Sequence, residues 1–324
     1  MLRDSYDRII NYLRVSVTDR CNLRCSYCVD KDFPFIPHDE ILRYEEIIRF
    51  VHIVAGLGVR KIRLTGGEPL RRKEITFLLE EFRRMNGIED ISLTTNGVYL
   101  AEQIPQLKEA GLTRVNISLD TLKREKFSVI TGVDAFEQVM AGIIRAREAG
   151  LNPVKINTVL IKDFNDDEVF DFVDFAKALG VHVRFIELMP FGRAGLYDAS
   201  KTISSRELKE LIEGRHELTP SINSDRGPAS MYSINGSEGK VGFISPMSTH
   251  ICHECNRIRL TPDGHLKPCL FSEEEYDVKA LLRGGATDDE IRLFTADVVK
   301  AKPERKAETG QIKKCQRSMR NIGG

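Results

Sequence analysis

The strands that can be read from this chain are polar along one face only. Six short β-branched runs, residues 12–18, 61–65, 90–95, 114–119, 152–160 and 181–188, alternate with helical patterns. Strand, helix and strand at this spacing predict parallel βα units. Side chains alternate across a strand, and here the alternation is chemical. Arg14, Ser16 and Thr18 oppose Val15 and Val17; Lys61, Arg63 and Thr65 oppose Ile62 and Leu64; Ser92, Thr94 and Asn96 oppose Ile91 and Leu93; Asn116, Ser118 and Asp120 oppose Val115, Ile117 and Leu119. Parallel strands usually read as continuous apolar runs, because both faces are covered. A barrel filled by aliphatic layers cannot be built from these residues. The pattern predicts a curved sheet, aliphatic towards its helices, that encloses large polar ligands. A half-open sheet with one solvated face is the alternative.

Helical patterns fall at 44–55, 73–85, 135–149 and 166–179, and Gly150 and Gly180 are placed to end two of them in the left-handed conformation. No repeat beyond the βα rhythm and no low-complexity tract is present. From about Asp198 the rhythm stops; a helix at 204–213 is followed by short strands near 231–234 and 240–244. The expected organisation is an α/β chain, with a partial (βα)6 TIM-like barrel over residues 1–217 and a smaller C-terminal α+β domain over 218–324.

Six of the seven cysteines form two triplets, Cys21-x3-Cys25-x2-Cys28 and Cys252-x2-Cys255-x13-Cys269. A cubane iron–sulfur cluster normally takes four thiolates, so a triplet leaves one iron open to a reactant. A structural zinc site wants four ligands, and the first triplet has no partner nearby. Around the second, His250, His253 and His265 keep a Cys3His zinc site open as an alternative. Seven cysteines are too few for a disulfide scaffold, and Cys315 reads as an incidental thiol. The N-terminus lacks the apolar core of a signal peptide, and the best apolar run, 47–59, reads as an amphipathic helix. A cytoplasmic protein is expected. Lys plus Arg equals Asp plus Glu at 48 each, so no global field attracts nucleic acid or membrane. Any cationic site must be local.

The run Arg14-Val-Ser-Val-Thr-Asp-Arg-Cys-Asn-Leu-Arg-Cys-Ser-Tyr-Cys28 resembles the signature of radical S-adenosylmethionine (SAM) enzymes. The second triplet, the Thr65-Gly-Gly-Glu-Pro69 turn and the closing Gly323-Gly324 resemble, more narrowly, the GTP 3′,8-cyclase family. The resemblance runs from about residue 4 to the last; Val29-Asp30 departs from the family's usual pair and touches no ligand. It implies two 4Fe-4S clusters and SAM as cofactors. It also implies an activity: a 5′-deoxyadenosyl radical takes hydrogen from C3′ of GTP, and C3′ bonds to C8 of the guanine. That is the first step of molybdenum cofactor biosynthesis.

Roles follow position by position from the resemblance. Cys21, Cys25 and Cys28 would hold the first cluster, and Cys252, Cys255 and Cys269 the second, whose open iron binds the guanine. Tyr27, Gly66, Gly67, Glu68, Ser118 and Met189 match SAM contacts. Arg14, Arg63, Thr94, Lys155, Arg257, Ile258 and Arg259 match GTP contacts, and Lys61 and Arg184 extend the same cationic lining. Arginine suits this task because its planar fork grips two phosphate oxygens. The catalytic Gly323 and Gly324 would enter the active site, where only a chain without side chains passes beside the substrate. The implied partners are GTP, an external electron donor and cyclic pyranopterin monophosphate synthase, which would receive the product; a homodimer is compatible. Two rival classes are weighed: a peptide-modifying radical maturase, which would not need phosphate-binding arginines, and an iron–sulfur or zinc regulator, for which no basic recognition helix is visible.

Overall fold

Alternation along the strands becomes two physical faces in the computed structural model, which describes residues 1–28, 34–191, 199–221, 227–249, 252–306 and 317–323. The first six strands are β1 (Tyr12–Ser16), β2 (Lys61–Thr65), β3 (Asp90–Thr95), β4 (Arg114–Ser118), β5 (Val154–Leu160) and β6 (His182–Glu187). They lie side by side in chain order and all parallel. Between them run α1 (Tyr44–Gly56), α2 (Ile75–Arg84), α3 (Leu100–Glu109), α4 (Arg124–Thr131), α5 (Phe136–Glu148) and α6 (Val169–Leu179). Gly150 and Gly180 follow α5 and α6 with φ of 72° and 62°, the left-handed ends expected of them.

The aliphatic face carries the core. Leu13, Val15, Ile62, Leu64, Leu93, Val115, Ile117, Ile156 and Val183 are all fully buried in one cluster with Phe50 of α1, Phe82 of α2, Ile143 of α5 and Phe172 of α6. Phe172 meets Phe185 edge-on at 6.1 Å. Each such side chain contributes roughly 1.5–3 kcal/mol relative to exposure. The periodicity of the helices follows from this surface, since each presents one apolar stripe to it.

Past α7 (Ser205–Glu213), which starts with a Ser204–Glu207 capping box, the remaining strands are β7 (Leu218–Pro220), β8 (Ser230–Ile234), β9 (Lys240–Ile244), β10 (Arg257–Leu260), β11 (His265–Lys267) and β12 (Tyr276–Asp277). The segment expected as a smaller domain adds itself to both flanks of the first sheet. β9 pairs parallel with β6 and β10 parallel with β1, giving the order β12-β11-β10-β1-β2-β3-β4-β5-β6-β9-β8-β7. Val241, Phe243, Ile258 and Leu260 enter the same core as the barrel strands. The sheet curves without closing, and its edges are the two short strands β12 and β7. Two further helices, α8 (Val278–Arg283) and α9 (Asp288–Lys300), lie against α1, where Arg49 donates to Asp288 and to the Ala286 carbonyl. No single described helix is long and apolar enough to cross a membrane.

Candidate active site

Inside the curve lies a cavity of about 340 Å³, within the range that binds small molecules. It opens where the parallel strands end, the usual place for a site in such sheets. Every barrel strand contributes to its wall: Arg14, Arg63, Thr94, Ser118, Asn157 and Arg184 from β1 to β6, with Arg257 and Arg259 from β10. Register explains the grouping. Arg14 pairs with Arg259 on one side and Arg63 on the other, and Asn157 sits between Ser118 and Arg184.

This lining is short of negative charge. Burial and then Arg259 push Arg14 well below the usual arginine range. Burial lowers Arg184 to about 9 and Arg259 to about 10, with neighbouring arginines adding to it. Neutral oxygens supply the visible bonds: Arg63 Nε donates to Ser92 Oγ at 3.0 Å and Arg184 to Asn157 Oδ1 at 2.6 Å. Cations forced together in a half-dry lumen favour an anionic occupant.

Three expectations need adjustment. Ile258 is corrected as a side-chain contact with GTP: it alternates with Arg257 and Arg259, is buried in the core beside Leu13, and faces away from the cavity. Glu68 is fully buried and outside the cavity wall. Its carboxylate accepts from Leu70 N at 3.0 Å, Thr95 Oγ1 at 2.7 Å and Asn96 N at 2.7 Å, while burial raises it to about 7. It therefore braces the ends of β2 and β3. Lys155 lies two residues before Asn157, beside Asn116 and His182, and outside the wall.

The first triplet sits on the loop leaving β1. Cys28 N donates to Cys25 O at 2.9 Å, turning the chain between the two thiols. Leu23 N and Asn96 Nδ2 approach Cys21 Sγ at 3.4 and 3.6 Å. Burial pushes the Cys28 thiol up to about 12 and the Cys25 thiol well above the usual range, and the neighbouring cysteines add to it. Thiols that burial makes this costly to ionise would become thiolates together only around a cationic centre. Gly66 and Gly67 line the same wall, yet packing alone dictates their identity: a Cβ on Gly66 would meet Thr18 O at 2.7 Å, and one on Gly67 would meet Arg20 O at 2.5 Å. Tyr27 and Met189 also face the cavity. Tyr27 Oη donates to Asp120 Oδ2 at 2.6 Å, and burial raises Asp120 to about 6.

Cys252, Cys255 and Cys269 line the opposite part of the same cavity, and all six triplet cysteines are free of disulfides. Burial would raise the Cys255 thiol, but Arg257 and Lys302 bring it down to about 6, with Arg257 Nη2 lying 3.7 Å from Sγ. The thiol is thus prepared as a thiolate ligand. Of the histidines weighed for zinc, His265 is held by Asp263 at 3.3 Å and His253 points largely into solvent. His250 lies outside the described residues, as do Val29, Asp30, Cys315 and Gly324.

Three positioning residues had no sequence signal. Arg8 Nη1 donates to Cys252 O at 2.7 Å, and its Nη2 to Pro303 O at 2.6 Å. Glu187, at the end of β6, accepts from Ser205 N, Met247 N and Ser248 N at 2.8–2.9 Å, fixing the approach to the second triplet. Lys302 Nζ reaches Arg257 O and Pro268 O at 2.9 and 2.6 Å. Asn157 was legible in principle, since it follows Lys155 at the alternate position of β5.

The chain end returns into the lumen through α10 (Met319–Ile322). Arg317 grips Asp263 with both nitrogens, at 3.0 and 2.8 Å, and reaches Glu275 at 2.6 Å. Arg320 lies over the Phe35 ring at 4.5 Å. Ile322 packs with Phe191, Met189, Leu270 and Phe271. Gly323 O accepts from Arg259 Nη1 at 3.0 Å. At φ 80° a Cβ on Gly323 would run into Thr65 Oγ1 and lie 2.8 Å from Ser16 Cβ. Only glycine fits here.

Comparison with known proteins gives consistent results. The family model of the radical SAM superfamily matches residues 15–176, and that of Molybdenum Cofactor Synthesis C matches 181–308. The GTP 3′,8-cyclase of Thermodesulfovibrio yellowstonii is 47% identical over 326 aligned residues, covering 100% of both chains. That of Moorella thermoacetica is 46% identical with the same coverage. Among solved structures, Streptococcus suis SuiB bound to S-adenosylmethionine aligns with a TM-score of 0.60 at 18% identity, covering 86% of this chain and 66% of that one, a likeness of fold.

Two outcomes test the tail's anchoring. Gly323→Ala should displace the last residues, seen as faster amide hydrogen exchange over 317–323 with the barrel strands unchanged; unchanged exchange of the tail would contradict the contact. The second concerns pH. Burial would raise Asp263, but His265 and Arg317 hold it well below the usual carboxylate range, and Asp263 raises His265. The depressed carboxylate stabilises the anchor above its ordinary pKa of about 4 and loses that effect as pH falls. The raised imidazole contributes below about 6.5 and loses its share as pH rises through its folded value. Exchange of the tail should therefore quicken on both sides of this window, and Asp263→Asn should flatten the profile.

Proposed function

The chain belongs to the GTP 3′,8-cyclase family of radical SAM enzymes, and from that premise we propose how its cavity converts GTP to (8S)-3′,8-cyclo-7,8-dihydroguanosine 5′-triphosphate, the first step of molybdenum cofactor biosynthesis. The observation that carries the reading is the convergence of two cysteine triplets and a row of arginines on one cavity. Each triplet suits a 4Fe-4S cluster with one iron free of protein ligand. Cys21, Cys25 and Cys28 would hold the first, and Cys252, Cys255 and Cys269 the second. When bound, the first cluster and SAM supply the 5′-deoxyadenosyl radical that removes hydrogen from C3′ of the ribose.

The protein's own work is positioning. Tyr27, Gly66, Gly67, Ser118 and Met189 line the cavity and take SAM, with Glu68 bracing the loop behind Gly66 and Gly67. Arg14, Arg63, Arg257 and Arg259 take the triphosphate, joined by Arg184 and by Thr94 as a neutral donor. Lys155 and Lys61 extend the positive field from the row below. Because Arg257 and Arg259 stand on β10 directly after Cys255, the segment that would hold the second cluster would also fix the nucleotide. Gly323 closes the substrate's flank beside Ser16 and Thr65 and excludes water. An arginine row of this kind answers to a nucleotide triphosphate and not to a peptide, which separates this reading from a peptide-modifying maturase.

The finer context is part of the same proposal. An external one-electron donor serves the first cluster, the unstable product passes to cyclic pyranopterin monophosphate synthase, and the enzyme works in the cytoplasm, where thiols stay reduced. Homodimerisation is compatible with it.

The test is mass spectrometry of an anaerobic incubation of reconstituted protein with GTP, SAM and dithionite. 5′-Deoxyadenosine and a cyclised GTP isomer should rise in step; 5′-deoxyadenosine alone would mean a different substrate. Cys25→Ser should lose both products, whereas Cys252→Ser should keep SAM cleavage and lose nucleotide turnover. Equal failure of both at the cleavage step would overturn this division of labour. Deleting Gly323 and Gly324 should spare both clusters and SAM cleavage but abolish cyclisation.

A further inference from the structure

Three lysines near the second triplet are buried, and one differs from the others. Lys267 Nζ has Ser272 O and Glu275 as acceptors. Lys302 Nζ has two carbonyl acceptors, Arg257 O and Pro268 O. Lys306 is 7% exposed, lines the cavity, and its Nζ has no hydrogen-bond acceptor among the described residues. It stands over the Phe271 ring at 5.3 Å, and Phe271 stacks on Phe191 at 5.5 Å. Glu187, whose charge acts on Lys306, is already occupied by three backbone N–H groups. Burial lowers the ammonium below the usual lysine range, opposed by Cys252, then Glu187 and Cys269. The arginines of the triphosphate row do not figure among these influences.

A buried ammonium without an acceptor is costly unless a negative group meets it in the working state. Two of the three charges acting on Lys306 are triplet sulfurs. A cluster on three thiolates is anionic, and nearby charge and hydrogen bonds to its sulfurs set its reduction potential. We propose that Lys306 is the counter-charge of the group held by Cys252, Cys255 and Cys269, raising its one-electron reduction potential without gripping the nucleotide. This rests on the reading of the second triplet as a cluster site. Lys306 thereby acts as a positioning residue of charge, through the cluster and not on the reacting atoms.

The test uses the full chain carrying Cys25→Ser, reconstituted anaerobically so that the second triplet alone holds a cluster. A redox titration followed by electron paramagnetic resonance would compare Lys306 with Lys306→Met and Lys306→Arg. Lys306→Met should lower the midpoint at least tenfold in the one-electron equilibrium, which is 59 mV, while Lys306→Arg stays within a third of that. GTP affinity should change less than threefold in either. Failure of the Met variant to load a cluster that the Arg variant loads would also support the counter-charge. An unchanged midpoint in Lys306→Met, or a tenfold loss of GTP affinity at unchanged midpoint, overturns the proposal. Loss of the cluster from both variants overturns it too, pointing to packing on Phe271. If the chain with Lys306 intact holds no cluster at all, the reading of the triplet fails first, and iron and sulfide content show which has failed.

Discussion

The repulsion among cations on the inner face of a parallel sheet is the constraint around which this structure is arranged. Arg14, Arg63 and Arg259 stand in register on three adjacent strands, and burial already lowers two of them. Such a row cannot be the interior of an ordinary aliphatic barrel, nor can it collapse when the sheet curls. The outer face, by contrast, is continuous hydrocarbon packed on helices, and its burial supplies the stability that holds the inner charges together. The lumen stays open because its arginines repel one another and favour an anionic occupant over collapse.

Loops and the returning chain end turn that open curve into a defined chamber. Gly66 and Gly67 let the β2 turn press onto Thr18–Arg20 backbone, which fixes where Cys21 emerges. Glu187 and Arg8 do the equivalent for Cys252 from two unrelated parts of the chain. Arg317, Arg320 and Gly323 tie the tail to β11's turn, to Phe35 and to Arg259. The two triplets thereby face one space although more than two hundred residues separate them in sequence. On the proposed reading that proximity is what the chemistry needs, one side generating the radical and the other holding its target.

Much of this was legible before any coordinates. Alternation in residues 12–18, 61–65, 90–95 and 114–119 told which side of each strand meets the helices, because a period of two leaves no ambiguity about faces. It also found Arg14, Arg63, Thr94 and Ser118 as lumen residues. The same rule, applied to β10, would have set Ile258 aside from Arg257 and Arg259; it entered the GTP set through resemblance, not through periodicity. The bracing role of Glu68 was hidden for another reason. A turn residue's side-chain direction depends on which donors surround it, and its donors come from β3. Glu187 and Lys302 were silent because their partners are backbone amides or carbonyls far away in sequence, and no local pattern encodes such partners; Arg8 pairs locally with Asp4, but its bonds to Cys252 and Pro303 are equally distant.

By itself the sequence determined the βα rhythm, the two-faced strands, the cysteine triplets and the glycine end, because each is a local matter of residue type and spacing. Only the tertiary structure decided that the residues after 217 divide between both flanks of one sheet, that Gly323 meets Ser16 and Thr65, and that Lys306 is left without an acceptor among the described residues. Strand order, long-range hydrogen bonding and burial depend on which distant surfaces come together, and that is fixed by packing the whole core rather than by any single segment.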